Sequence, residues 1–210
     1  MLRVGLTGGV ACGKSTVGDL LAKRGAHLLQ ADTLAHELYL PGTTTYEAIV
    51  NSFGREILKE DGRIDRPKLA NVVFPDRISE LNAIVHPAVI EAQNRWLEEA
   101  ERSDPDGMAI VEAALLIEAG AASHFDKVIV VTCAFEQKVE RYAKRAGISK
   151  DKARAEVERR STAQFTDEEK ARHADYLIDN SGTPAELEEK IARVWAALAA
   201  ENRKPGPSSA

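Results

Sequence analysis

The stretch Gly8-Gly9-Val10-Ala11-Cys12-Gly13-Lys14-Ser15 constrains this chain more than any other. It fits G-x-x-x-x-G-K-[ST], a loop whose backbone N–H groups cradle phosphates when a strand precedes it and a helix follows. Both flanks are present. Leu2, Val4 and Leu6 alternate as in a short strand, and Val17, Leu20 and Leu21 keep helical spacing up to Gly25. Glycine removes the β-carbon that would block the turn, so successive N–H groups converge on phosphate oxygens. The helix N-terminus adds unpaired donors and a partial positive charge. The motif assigns Lys14 to the β/γ-phosphates and the Ser15 hydroxyl to Mg²⁺, with Gly9, Val10, Ala11, Cys12, Gly13 and Thr16 completing the cradle. A nucleoside triphosphate is the expected ligand.

Composition excludes several other classes. The 210 residues suffice for one domain with an insertion and a substantial core. A net charge of −5 gives a nucleic-acid partner no support. No apolar run is long enough to span a bilayer, and Met1-Leu2-Arg3 runs directly into the first predicted strand, so neither a signal peptide nor a membrane anchor is expected. Cys12 and Cys133 have no metal-ligand spacing and suit a reducing compartment; the expected location is the cytoplasm.

Along the chain, Ala26 to Ala31 is a second apolar run ending at Asp32, and Thr33 to Leu40 has helical character until Pro41-Gly42. From Thr43 to Ser103 helix patterns dominate. Asp65-Arg66-Pro67 reads as a helix start, Ile78 to Val85 as a helix, and Pro87 as the first turn of the next one. About sixty residues of helix between two strands is too long for a loop and reads as a substrate-binding subdomain. Strands resume at Met108–Val111, at Val128–Thr132 and at Tyr176–Ile178. The second of these has no alternation, as expected when both faces are buried in a parallel sheet. Thr183, Pro184 and Glu186 form a capping-box start for a last helix, and the polar residues 201–210 are expected to fray. The prediction is a doubly wound α/β fold of the P-loop type with a five-stranded parallel sheet. Its core covers 1–32, 108–147 and 166–200, with a helical insertion at 33–107 and a helical lid at 148–165.

Several side chains could carry chemistry. Asp32 at a strand end would share a crevice with the P-loop and could take a proton from an attacking hydroxyl; it could equally cap the following helix. Glu112 could assist magnesium or simply satisfy a helix start. The Arg- and Lys-rich stretch Arg141–Arg172 is either a solvated helical hairpin or a lid closing on the transferring phosphoryl group. His86 reads as a cap or core partner as readily as a ligand contact. Cys12, beside Lys14 and a helix N-terminus, is expected to have a lowered pKa and to be alkylated readily.

Taken together the segments resemble the dephospho-coenzyme A kinase family over almost the whole chain. The resemblance rests on Gly5-Leu6-Thr7-Gly8-Gly9 with Gly13-Lys14-Ser15-Thr16, Ala31-Asp32, Pro41-Gly42, Phe53-Gly54 and Asp61-Gly62 with Arg66. It continues through Leu81-Asn82 with His86-Pro87, Leu115-Leu116 with Glu118, Gln164, and Asp175 through Asp179-Asn180-Ser181-Gly182. It implies an ATP-dependent transfer to the ribose 3′-hydroxyl of dephospho-CoA, with Mg²⁺ as cofactor, Asp32 as base, and Lys14 and Arg141 at the reacting phosphates. It also implies a CoA-binding helical insertion. Asn180 falls near the adenine, Arg160 and Gln164 on the lid side, Arg66 and His86 in or beside the CoA domain, and Thr7, Leu115 and Glu118 among substrate contacts. The chain departs from the common pattern at Ala11-Cys12, at Gln30, and at Glu112 and Ala114, where Asp and Pro are usual.

Three other readings compete, one of them an ATP-binding regulator without catalysis, against which Asp32 at a strand end and the arginine-rich stretch argue. A nucleoside monophosphate kinase shares the P-loop, but the long insertion argues against it. A GTPase-like switch is suggested by Asp104-x-x-Gly107 and Asp179-x-x-Gly182, yet no Asn-Lys-x-Asp follows either. The sequence leaves the oligomeric state open.

Overall fold

In the computed structural model, which describes residues 1–203, the predicted strand becomes β1 (Leu2–Gly8), its last five residues buried. Two apolar runs flank it: β3 (Met108–Glu112) and β4 (Lys127–Thr132) pair in parallel with β1, and β5 (Tyr176–Asp179) pairs in parallel with β4. β2 (His27–Gln30) completes the five-stranded order β2-β3-β1-β4-β5. The unalternated run in β4 is explained by this placement. Ile129 and Val131 pack on one face with Leu6, Val17, Leu21, Ile191 and Leu198, while Val128 and Val130 pack on the other with Leu116 and Ile117.

α1 (Lys14–Ala22) and α9 (Pro184–Asn202) supply the helical side of the first face. The expected capping box at α9 is present: Thr183 accepts from the Glu186 N–H and the Glu186 carboxylate accepts from the Thr183 N–H. α6 (Phe135–Ala146) ends at Gly147, which takes the left-handed conformation favoured by glycine (φ 65°). α7 (Lys150–Thr162) packs on it through Ala153 and Val157 against Val139, Tyr142 and Ala143, and α8 (Asp167–Ala171) follows.

The chain divides into two compact units, residues 1–29 with 100–210 and residues 30–99. The second unit contains α2 (Ala31–Glu37), α3 (Thr44–Phe53), a 3₁₀ turn at Arg55–Ile57, α4 (Arg66–Val73) and most of α5 (Ile78–Ser103). It has its own core of Ile49, Phe53, Ile57, Ile64, Leu69, Val73 and Val85. The division falls at 30 and 99, where the sequence suggested 33 and 107. Residues 100–107 belong to the first unit, where Arg3 pairs with Glu101 at 2.9 Å and the Leu2 N–H donates to Gly107 at 3.1 Å.

Two expectations need correction. Pro87 does not open a helix but lies inside α5, so His86 is a mid-helix residue. Proline removes one intrahelical hydrogen bond; apolar packing of Leu81, Ile84, Val85 and Val89 on the second unit's core keeps the helix continuous across that position. The expected fraying does not begin at 201. Glu201 and Asn202 belong to α9, where Glu201 accepts from the Tyr176 hydroxyl at 2.9 Å and pairs with Lys127 at 3.1 Å. The rest of the stretch expected to fray, 204–210, lies outside the described residues. Among the described residues no helix is long and apolar enough to cross a membrane.

Ile129 is fully buried in β4. Ile129→Ala is expected to lower unfolding free energy by about 2–5 kcal/mol, read from the shift of the urea midpoint by circular dichroism. An unshifted midpoint would mean that this strand is not at the centre of the core.

Candidate nucleotide site

The P-loop is shaped by torsions and close approaches. Gly8 has φ 151° and a β-carbon there would run into the Val131 carbonyl; Gly13 has φ 94° and a β-carbon would meet the Asn180 amide. Ala11 takes φ 55°, the one positive-φ non-glycine among the described residues, a conformation costing about 1–2 kcal/mol. Gly13 caps α1 without a side-chain acceptor, and no acid lies in the first turn, so the first N–H groups face outward with their partial positive charge.

Lys14 Nζ donates to the carbonyls of Gly8 at 3.1 Å and Gly9 at 3.0 Å. Ser15 Oγ donates to Glu112 Oε1 at 2.9 Å, which joins the motif to the end of β3. These groups border a cavity of about 440 Å³ lined also by Ala11, Gly13, Thr16, Arg141 and Arg145. Three cations, Lys14, Arg141 and Arg145, face one carboxylate, Glu112. The cavity therefore favours a multiply charged anion. Magnesium takes hard oxygen donors and usually only one or two from the protein. Ser15 and Glu112 fit that requirement, and the described residues contain no cluster of three or more His, Cys, Asp or Glu that would form a protein-only cage.

Asn180 does not stand free. It is buried, donates from Nδ2 to the Cys12 carbonyl at 2.8 Å and from its N–H to Thr132 at 2.8 Å. Arg141 donates to the same Cys12 carbonyl at 3.4 Å and to the Asn180 carbonyl at 2.9 Å. Both residues thus support the loop itself.

The expectation of a reactive Cys12 is overturned. Its side chain has no exposure, and its thiol donates to Gly9 at 2.9 Å and Val131 at 3.0 Å. Burial pushes the thiol up, and the attraction of Lys14 and Lys138 does not reverse it. The nearby positive charge is legible in the sequence, whereas the inward turn of the side chain is set by the fold.

Other predicted residues scatter. Thr7 is fully buried and its hydroxyl donates to Ala114 at 3.3 Å, so it faces the interior. Glu118 is held by Lys170, itself wholly buried, at 2.9 Å and by the Phe165 N–H at 2.9 Å. Burial would raise this carboxyl, but these hydrogen bonds outweigh it and hold it below the usual range. Leu115 is half exposed. Arg160 bonds Glu156 at 2.7 Å and stacks 5.4 Å from the Tyr142 ring, and Gln164 lies just past α7, its N–H on Ser161 at 3.1 Å.

Within the second unit a separate cavity of about 460 Å³ brings together Asp32 and Arg66 with His36, Tyr39, Leu69 and Phe74. Asp32 lies in the first turn of α2, where Gln30 is the cap residue, so it is not the N-cap that its position allowed. Arg66 contacts His36 Nε2 and lies 5.6 Å from the Tyr39 ring. His36, one helical turn after Asp32, was legible only in retrospect from the i, i+4 spacing. His86 lines a different groove of about 550 Å³ along α5 with Pro87, Ile90 and Asn94.

Comparison with known proteins identifies the family. The family model described as dephospho-CoA kinase matches residues 2–186. The chain belongs to the dephospho-CoA kinase family. It is 42% identical over 210 residues to the Streptomyces avermitilis dephospho-CoA kinase, covering 99% of each chain. It is 45% identical over 195 residues to the Geobacter sulfurreducens dephospho-CoA kinase, covering 92% of this chain and 96% of the relative. A crystal structure of a Thermus thermophilus protein superposes with a TM-score of 0.77 at 33% identity, covering 95% of this chain and 97% of that one. As a member of the dephospho-CoA kinase family the chain is an ATP-dependent kinase on a P-loop α/β fold.

Both cysteines are buried, and the Cys133 thiol is pushed up to about 11 from 9.0, chiefly by burial. The folded protein is expected to react with a disulfide reagent far more slowly than the denatured chain; a fast thiol in the folded protein would mean that Cys12 or Cys133 is exposed. Because the unfolded thiol ionises first, the stability Cys133 contributes is complete below pH 9.0 and lost as pH rises toward 11. Urea titrations across that range should show a larger loss in wild type than in Cys133→Ala, which keeps the buried Cys12 thiol.

Proposed function

We propose that this chain transfers the γ-phosphoryl group of ATP to the ribose 3′-hydroxyl of dephospho-CoA, giving coenzyme A and ADP in the cytoplasm. The observation that carries the reading is the cavity where Lys14, Ser15 and Glu112 meet at the N-terminus of α1, in a member of this kinase family. The loop N–H groups and Lys14 hold the phosphate chain and neutralise part of its charge. Ser15 and Glu112 would hold a Mg²⁺ ion, which would supply positive charge to the phosphate oxygens.

Asp32 takes the proton of the 3′-hydroxyl as the new O–P bond forms and ADP leaves with the bridging oxygen. The cavity of the second unit suits the acceptor: Tyr39, Leu69 and Phe74 offer apolar surface to a pantetheine arm, and Arg66 offers a cation to a diphosphate. In this reading residues 30–99 are the CoA-binding part, and 148–165 act as a lid that excludes water.

Mass spectrometry of a reaction containing the protein, Mg²⁺-ATP and dephospho-CoA should show CoA, and common nucleoside monophosphates should remain unphosphorylated. Asp32→Asn is expected to cut kcat by roughly 10²–10⁴ with ATP affinity kept. Near-normal turnover in that variant would remove Asp32 as base. Lys14→Ala is expected to impair ATP binding and transfer together.

A further inference from the structure

Four arginines of the basic stretch stand on or against α6, and their guanidinium groups are not equally committed. Arg141 donates to the Asn180 and Cys12 carbonyls, so its charge holds the loop wall. Arg154 is bonded to both carboxylate oxygens of Glu136 at 2.7 Å. Arg160 is bonded to Glu156 at 2.7 Å. Arg145 differs. It lies in the last turn of α6, one helical turn after Arg141, and lines the P-loop cavity with Lys14, Ser15 and Glu112. Among the described residues no carboxylate pairs with it; its guanidinium lies 5.3 Å from the Tyr142 ring. That buried ring has Arg160 at 5.4 Å as a second cationic neighbour, and the two contacts make Tyr142 a fixed post against which Arg145 rests.

We propose that Arg145 is the arginine that clamps the phosphate chain of the bound nucleotide, with Tyr142 positioning its guanidinium. The inference rests on the nucleotide reading of the P-loop cavity and adds a residue that neither the motif nor the resemblance assigned. An arginine without an anionic partner, on the wall of a cavity whose other lining cations are Lys14 and a committed Arg141, is complementary to the second charge of a polyphosphate. Its planar fork accepts two phosphate oxygens at once, which an ammonium cannot do. Stacking on Tyr142 limits the orientations lost on binding.

The test is calorimetric titration of ATP, and separately of adenosine, into wild type, Arg145→Ala, Arg145→Lys and Arg141→Ala. Arg145→Ala should weaken ATP by about tenfold to a hundredfold, the value of one charge-assisted contact, and leave adenosine unchanged. Arg145→Lys should fall between. Thermal melting of Arg145→Ala should match wild type, because the side chain makes no folding contact beyond the ring, whereas Arg141→Ala should melt lower. Lys144→Ala, in the same turn but outside the cavity lining, should bind as wild type. ATP affinity in Arg145→Ala within about twofold of wild type overturns the proposal, as does an equal loss for adenosine. Turnover of dephospho-CoA by wild type is measured in parallel; its absence sinks the acceptor assignment and leaves the ATP titration to judge Arg145 alone.

Discussion

The nucleotide site depends on one main-chain oxygen. The Cys12 carbonyl points inward and receives Asn180 Nδ2 at 2.8 Å and Arg141 at 3.4 Å, while the Cys12 thiol reaches Val131 at 3.0 Å. These donors and acceptors come from the ends of β4 and β5 and from α6, more than a hundred residues along the chain. A glycine-rich loop has many conformations in isolation, and glycine loses more conformational freedom on folding than any other residue. The loop presents its N–H groups outward because its carbonyl and thiol are held inward. Order in the cradle is therefore a property of the sheet edge as much as of the motif.

Electrostatics divides the charged side chains into two roles. Some are consumed in holding the first unit together: Lys170 is wholly buried yet bonds Glu118 and the Ala114 carbonyl at 3.0 Å, and Lys138 meets Asp167 at 2.7 Å beside Gly9. Breaking a buried pair leaves an uncompensated charge, so these groups are not available for chemistry. Others, Lys14 and Arg145 among them, face a cavity whose anionic group is Glu112. Excess positive charge beside the uncapped α1 N-terminus suits a polyphosphate and a metal.

The second unit is built differently. Its strand-poor, helical sequence buries Phe53, Ile57 and Val73 in a core of its own, and Arg77 lies 4.5 Å over the Phe53 ring while donating to Ser52. A separate core lets a cavity bordered by Asp32 and Arg66 form within residues 30–99. This is why an insertion of that length reads as a functional part and not as a loop.

The strand–loop–helix order, the doubly buried run at β4, the Asp65 and Thr183 helix starts and the Gly147 stop are all local, and periodicity or capping chemistry determines them from the residues alone. The motif likewise singles out Lys14 and Ser15, and both line the cavity at the start of α1. Pro87 was misread because local propensity marks a boundary that apolar packing across α5 overrides. The reactivity of Cys12 was misread because whether a side chain faces solvent, a ligand or a buried partner depends on neighbours from distant segments. The sequence by itself determined that a phosphate cradle would stand at the end of the first strand. Only the tertiary structure decided which cations face it, because hydrogen bonds and burial, not residue type, set whether a charge is free to act.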